Sequence, residues 1–186
     1  MGQSRSDKPE GLTVVSDVIE ETVIDEIEAA AARVPFVVVD LEGTASMTVA
    51  YAISRADLVV IPSQGSQLDA AEAAKAVKLI RQQEKAFGRT IPHAVLFTRT
   101  SAAIKPRTLQ HIRGEFEAHG VPALQTQLHE REAFRAIFSF GGTVDTLGAG
   151  QVSGLDGAIR NVQAFAAEVV ALLRQAAQQP RTEAAA

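Results

Sequence analysis

Pro35-Phe-Val-Val-Val-Asp40-Leu-Glu-Gly43-Thr-Ala-Ser46 is the stretch of sequence that decides the fold of this chain. Residues 36–39 are four consecutive apolar residues without alternation, which predicts a strand buried on both faces of a parallel sheet. Asp40 then falls at the carboxyl end of that strand, where open α/β sheets bind their ligands. In phosphate-binding folds, an acid at this position holds Mg²⁺ directly or through water. We therefore predict a nucleotide-facing edge at which Asp40 is the metal ligand.

The glycine-rich loop that should accompany such a strand does not occur in this sequence. A phosphate cradle of the G-x-x-x-x-G-K-[ST] type presents backbone N–H groups and a lysine to the phosphates. No such string occurs in the 186 residues. The sequence thus predicts the acid and the turn of a nucleotide site without the loop that holds the phosphates.

The composition fits one globular domain in a reducing compartment. With 46% hydrophobic residues, a chain of this length buries roughly 70% of its unfolded surface. Eighteen basic and 22 acidic residues give a net charge of -4, which excludes a global attraction to nucleic acid. The chain has no cysteine, which excludes disulfides, thiolate metal sites and cysteine nucleophiles. Without a signal peptide or an apolar run of membrane-spanning length, a soluble cytoplasmic protein without membrane contact is expected.

Strand and helix patterns alternate along the chain, which is typical of βαβ units. We expect a disordered lead-in at 1–10, one domain at 11–178 and a flexible tail at 179–186. Within the domain, the patterns predict strands at 12–15, 36–39, 58–61, 93–97 and 123–126. Helices are predicted at 17–33, 45–54, 68–87, 107–119, 130–138 and 155–178. The expected fold class is α/β, a three-layer and mostly parallel sheet flanked by helices.

Four strings in this layout resemble the ParA/MinD group of deviant-Walker ATPases. FVVVDLEG at 36–43 resembles their Walker B strand, and ADLVVIPSQGSQLDAAEAAKAVKLI at 56–80 resembles the next strand, its proline loop and a long helix. AVLFTRT at 94–100 resembles the strand and turn near the nucleotide base. LHEREAFRAIF at 128–138 most resembles the VirC-type branch, ParA-like proteins of conjugal and T-DNA transfer. The resemblance extends from about residue 12 to 175.

That resemblance implies a P-loop NTPase-like fold of the SIMIBI type, with ATP and Mg²⁺ as cofactors. It also implies a dimer that binds DNA without sequence preference and serves plasmid partition or DNA transfer. Family members begin with a strand and a KGGxGKT-type loop, and this chain starts after both. We therefore expect an N-terminally truncated domain without ATPase activity of its own. The strand at 36–39 would have an unpaired edge, which lowers stability or pairs with a partner.

The residues at the expected strand ends are the candidate nucleotide ligands: Asp40, Glu42, Gly43, Thr98, Arg99, His129 and Glu130. Each has an alternative. Asp40 could only cap the next turn, and Gly43 could only supply a positive φ angle. The carboxylate of Glu42 would repel a phosphate unless Mg²⁺ lay between them.

The second group of candidates leaves similar alternatives open. Thr98 and Arg99 could contact base, phosphate or DNA, or the arginine could be solvated. His129 and Glu130 could line the adenine pocket, or Glu130 could only favour a helix amino end while His129 is solvated. A Ser-His-Asp hydrolase is excluded because no G-x-S-x-G elbow occurs, and the four histidines lack metal-ligand spacing.

Two sets of basic residues and several partners complete the expectations. Lys75, Lys78, Arg81 and Lys85 form a basic stripe at helical spacing, either a DNA contact or a solvated face. Lys105, Arg107 and Arg113 form a second cluster. The expected partners are a second copy, a full-length ParA-like protein, DNA, and a relaxosome or centromere-binding protein. The alternative function is a non-catalytic interaction module.

Overall fold

The computed structural model describes residues 9, 11–43, 46–104, 106–148 and 150–178. The predicted tail, and the lead-in apart from residue 9, lie outside the described residues. The helices are α1 Val23–Ala31, α2 Met47–Arg55, α3 Gln67–Phe87, α4 Arg107–Ala118, α5 Glu132–Phe140 and α6 Leu155–Gln178, with a 3-10 turn at Val144–Thr146. The strands are β1 Val59–Ser63, β2 His93–Thr100 and β3 Leu128–His129.

The sheet of the described chain has three parallel strands in the order β1-β2-β3. Val59 pairs with His93 at one end of the first ladder, and Ser63 pairs with Phe97 at the other. The second ladder is irregular between Thr98 and Thr100. Helices flank this sheet, so the predicted α/β class with a parallel sheet is confirmed.

The core lies on both faces of β2. On one face, Val95 and Phe97 are fully buried, and the Phe97 ring lies 6.2 Å from that of Phe116. On the other face, Ala94 and Leu96 pack with Leu124 and with α6. β2 therefore has the environment that a continuous apolar run predicts.

Phe36–Val39, in contrast, is not a strand, so the central strand prediction is wrong. The side chain of Val38 is 91% exposed and that of Phe36 is 62% exposed. Within the described ranges no strand pairs with this segment. Leu41, two residues beyond it, packs against the main core cluster. The continuous apolar pattern indicates burial only where a neighbouring strand and covering helices exist, and here it marks an uncovered segment.

Two other predicted strands also differ from the structure. Residues 12–15 are exposed and are not paired in the described sheet. At 123–126, Ala123 makes an isolated bridge with Val95, and the paired residues follow at Leu128–His129.

The starts of α2 and α3 and the end of α3 coincide with local capping residues, whereas the start of α1 does not. The hydroxyls of Ser46 and Ser66 accept hydrogen bonds from backbone N–H groups of α2 and α3, and Gly88 ends α3 at φ 61°. The predicted helix start at residue 17 is wrong: Asp17 has φ 60° and α1 starts six residues later, at Val23. None of the helices in the described chain is both long and apolar enough to cross a membrane.

Candidate functional site

A cleft of about 330 Å³ opens beside the carboxyl ends of β2 and β3. Six of its nine lining residues are polar. The polar residues are Ser101, Gln125, Thr126, Gln127, His129 and Asn161, and the apolar ones are Ala102, Ile104 and Leu109. Parallel sheets bind ligands at this edge.

The end of β2 holds one wall of the cleft through a side-chain pair. Thr100 is buried, and its hydroxyl lies 2.9 Å from Nδ1 of His129. Arg99 has a φ of 52°, an uncommon conformation for a residue with a side chain, at the irregular point of the ladder. Thr98 is half-buried and pairs with Leu128. The structure therefore brings Thr98 and Arg99 close to His129, which is half-buried and lines the cleft.

Glu130 adjoins the cleft but its carboxylate is engaged elsewhere. Its backbone N–H donates to the Thr100 carbonyl oxygen over 2.9 Å, which extends the β2 pairing by one residue. Its carboxylate lies 2.6 Å from Nη1 of Arg135 on α5. The hydrogen bond from Arg135 to Glu132, together with the charges of Glu132 and Glu130, raises the pKa of Arg135. Glu130 thus belongs to an exposed ion-pair network.

The other three candidates are exposed on the segment that follows Phe36–Val39. Asp40, Glu42 and Gly43 are all exposed, and none lines the cleft. Gly43 does not have a positive φ, and a Cβ atom there would meet nothing within 4 Å, so the tight-turn alternative is wrong. Within the described ranges, no group of three or more His, Asp or Glu side chains is arranged to hold a metal ion. Asp40 as a Mg²⁺ ligand stays a prediction.

Sequence reasoning missed two residues of α6 that hold the second wall. Asn161 accepts from the His129 N–H over 3.0 Å and donates to the Gln127 carbonyl over 2.7 Å. Glu168 accepts from the N–H groups of Gln125 and Thr126 over 2.7 and 2.8 Å. The signal was their spacing, because two polar residues seven apart lie on one face of a helix. Phe165 and Leu172 occupy the same stripe and pack against the sheet.

Hydrogen bonding keeps the Glu168 carboxylate ionised. Partial burial disfavours the charged form and by itself raises the pKa of Glu168. Hydrogen bonds from the Thr126 hydroxyl and from both N–H groups outweigh this effect, and the Arg113 guanidinium acts in the same direction. The net result is a pKa of Glu168 below its ordinary value of 4.5.

Comparison with known proteins places this architecture in a family. The family model described as "VirC1 protein" matches residues 16–178. This chain belongs to the VirC1 family. It is also 39% identical over 168 residues to a protein named "Protein ParA" from Rhizobium radiobacter, an alignment that covers 90% of this chain and 75% of that protein. The predicted resemblance to ParA-like proteins of the VirC branch is thereby confirmed.

The basic stripe of this VirC1-family chain is partly paired within the protein. Lys75 lies 2.7 Å from Glu72, and Arg81 donates to the His119 carbonyl oxygen over 3.3 Å. Lys78 and Lys85 are exposed. In the second cluster, Arg113 donates to the Leu124 carbonyl over 3.2 Å, Arg107 is exposed, and Lys105 lies outside the described residues. DNA contact through the exposed lysines stays a prediction, which the salt dependence of DNA binding would check.

Replacing Glu168 with Gln is expected to lower stability in a pH-dependent way. Because the folded pKa lies below the ordinary 4.5, the stabilisation is fully present above that value and is lost as pH falls through the folded pKa. We expect Glu168→Gln to reduce the free energy of unfolding by about 1 kcal/mol at neutral pH, an amount reduced by partial solvation. The deficit should shrink as pH falls below 4.5 and through the folded pKa of Glu168, as measured by urea unfolding at neutral and at acidic pH.

The matched control is Glu117→Gln, which removes an exposed carboxylate 3.5 Å from Arg113. It should change the unfolding free energy by less than about 0.5 kcal/mol at neutral pH. A Glu168→Gln deficit of equal size at both ends of the pH range would contradict the assigned role of the carboxylate.

Proposed function

We propose that this VirC1-family chain is a ParA-like protein of plasmid partition or conjugal DNA transfer. In this proposal, the cleft beside β2 and β3 receives the base of an adenine nucleotide, and the chain by itself does not hydrolyse ATP. The observation that carries the proposal is the polar cleft formed by Ser101, His129 and Asn161 at the carboxyl ends of two parallel strands. The likeness to the ParA protein of Rhizobium radiobacter supports the biological setting.

The chemistry of the cleft suits a flat heterocycle with hydrogen-bonding edges. Hydroxyl and amide groups of Ser101, Gln125 and Thr126 offer both donors and acceptors. Ile104 and Leu109 supply apolar side chains to the lining that can contact the faces of a ring. Binding sites commonly combine apolar contact with a few placed polar groups, and the volume is at the small end of their range.

The phosphate end of a nucleotide lacks comparable support in this chain. Phosphoryl transfer depends on a cradle of N–H groups, a cation and a bound Mg²⁺ that together stabilise the transferring group. The 186 residues contain no G-x-x-x-x-G-K-[ST] string. The carboxylates of Asp40 and Glu42 are exposed and would repel phosphates unless Mg²⁺ lay between them. Base binding without turnover is the consequence.

The purified chain should bind a fluorescent ATP analogue without turning over ATP. Phosphate release in the presence of Mg²⁺ should equal that of a protein-free blank, because the 186 residues contain no phosphate-binding loop of the G-x-x-x-x-G-K-[ST] type to stabilise the transferring phosphoryl group. Asp40→Ala serves as the comparison and should change nothing. Steady Mg²⁺-dependent turnover that Asp40→Ala abolishes would refute the proposed inactivity, and the absence of any analogue binding would refute the base site.

A second candidate function is a non-catalytic interaction module, favoured by the exposure of Phe36–Val39. An unpaired extended segment with free backbone N–H and C=O groups is a template for pairing with another chain. Leaving Phe36 and Val38 in water forgoes roughly 1.5–3 kcal/mol of burial for each side chain. A full-length ParA-like ATPase is the partner that the family relationship favours.

A capture experiment with full-length ParA tests this second function. We expect Val38→Asp to reduce capture at least tenfold, because a charge would be placed in an apolar contact. Since Val38 is 91% exposed, the variant should retain the thermal stability of the wild type. The matched control is Phe138→Asp on α5, where the replaced side chain is 89% exposed, and capture should be unchanged. Equal capture by Val38→Asp and the wild type would contradict a contact at this segment.

A further inference from the structure

Residues 125–127 lie outside the paired residues of β2, Leu128 and His129 pair with β2 again, and side chains of α6 supply hydrogen-bond partners that the sheet does not. Leu124 donates to the Val95 carbonyl over 2.8 Å before these residues, and Glu130 donates to the Thr100 carbonyl over 2.9 Å after them. Between these points the N–H groups of Gln125, Thr126 and His129 donate to side chains of α6. One wall of the cleft is therefore hydrogen-bonded to a helix as well as to β2.

Asn161 substitutes for a strand residue in a specific way. In a parallel ladder, a residue donates its N–H to the C=O of the residue before its partner. Its own C=O accepts from the N–H of the residue after that partner. The Asn161 amide makes the same two bonds to Gln127 and His129, which flank Leu128. A buried backbone group without a partner is costly, so this amide fixes the local backbone conformation.

Glu168 forms the second tie, about 10 Å further along the helix axis, since two turns separate it from Asn161. Its two carboxylate oxygens each accept one backbone N–H, an arrangement stronger than two neutral hydrogen bonds. Phe165 and Leu172 on the same stripe pack against Leu96 and Leu124. The apolar contacts anchor α6 on the sheet, and the polar pair sets the position of the cleft wall relative to that anchor.

We propose that Asn161 and Glu168 are positioning residues for the cleft. Packing of α6 against the sheet positions the backbone of Gln125–His129. The affinity of the cleft for its ligand therefore depends on α6, although Asn161 is the one residue of this helix that lines the cleft. The identity of the ligand as an adenine nucleotide rests on the proposed function above. The placement of the wall by α6 stands independently of that identity.

Amide hydrogen exchange followed by NMR tests the placement directly. Asn161→Ala should accelerate exchange of the His129 amide, and Glu168→Ala should accelerate that of Gln125 and Thr126, each at least tenfold. The amides of Leu124 and Glu130 bond to β2 and are internal controls that should keep their rates. Gln163→Ala, which removes an exposed amide side chain from α6, is the matched control and should alter none of these rates.

Unchanged exchange at the three amides would overturn the proposal, and so would an equal acceleration at Leu124 and Glu130, which would indicate general destabilisation.

Titration with a fluorescent ATP analogue then tests the link to the ligand. We expect Asn161→Ala and Glu168→Ala to weaken binding at least fivefold, while Gln163→Ala binds like the wild type. Faster exchange with unaltered affinity would overturn the coupling between α6 and the ligand. If the wild type binds no nucleotide while the amide rates respond as expected, the proposed base site fails and the positioning of the wall by α6 stands.

Discussion

The parallel pairing of β2 with β1 is the interaction on which the rest of this structure depends. β2 is covered on both faces, with Val95 and Phe97 towards one helical layer and Ala94 and Leu96 towards the other. Because strand pairing and two-sided burial coincide here, β2 fixes where α3, α4 and α6 pack. The end of this strand also fixes the cleft, through the contact between Thr100 and His129.

Backbone N–H and C=O groups need hydrogen-bond partners, and the two edges of the molecule, beside β3 and at 36–39, differ in whether the described chain supplies them. At and before β3, the backbone N–H groups of Gln125, Thr126 and His129 donate to Glu168 and Asn161 of α6 instead of to the sheet. At Phe36–Val39, the described chain offers neither strand nor helix, and the segment stays exposed. One side is therefore completed within the chain, while the other presents apolar side chains and Asp40 to the exterior. This arrangement supports the proposal of base recognition without phosphoryl transfer.

Local signals in the sequence predicted most helices and the α/β class. A glycine that ends a helix, such as Gly88 after α3, and an apolar stripe at helical spacing, as in α6, each act within one or two turns, so they can be read from the sequence. The segment at 36–39 could not be placed in this way, because burial of a strand is decided by neighbours distant in sequence. Residues such as Thr98, Arg99 and His129 were placed near one another because strand ends meet at one sheet edge. Asn161 and Glu168 were missed, since their partners lie 32 to 43 residues away.

The central claim is that the segment leading to Asp40 is open in this chain, while residues 93–97 of β2 are paired with β1 and Val95 and Phe97 are fully buried. Amide exchange of Val37, Val38 and Val39 in the isolated chain, compared with that of Val95 and Phe97, measures this difference directly. The account predicts exchange at 37–39 within about tenfold of an unstructured peptide, and exchange at Val95 and Phe97 slowed by the full unfolding free energy. Protection at 37–39 equal to that of Val95 would show that the segment is a paired strand and would contradict the account.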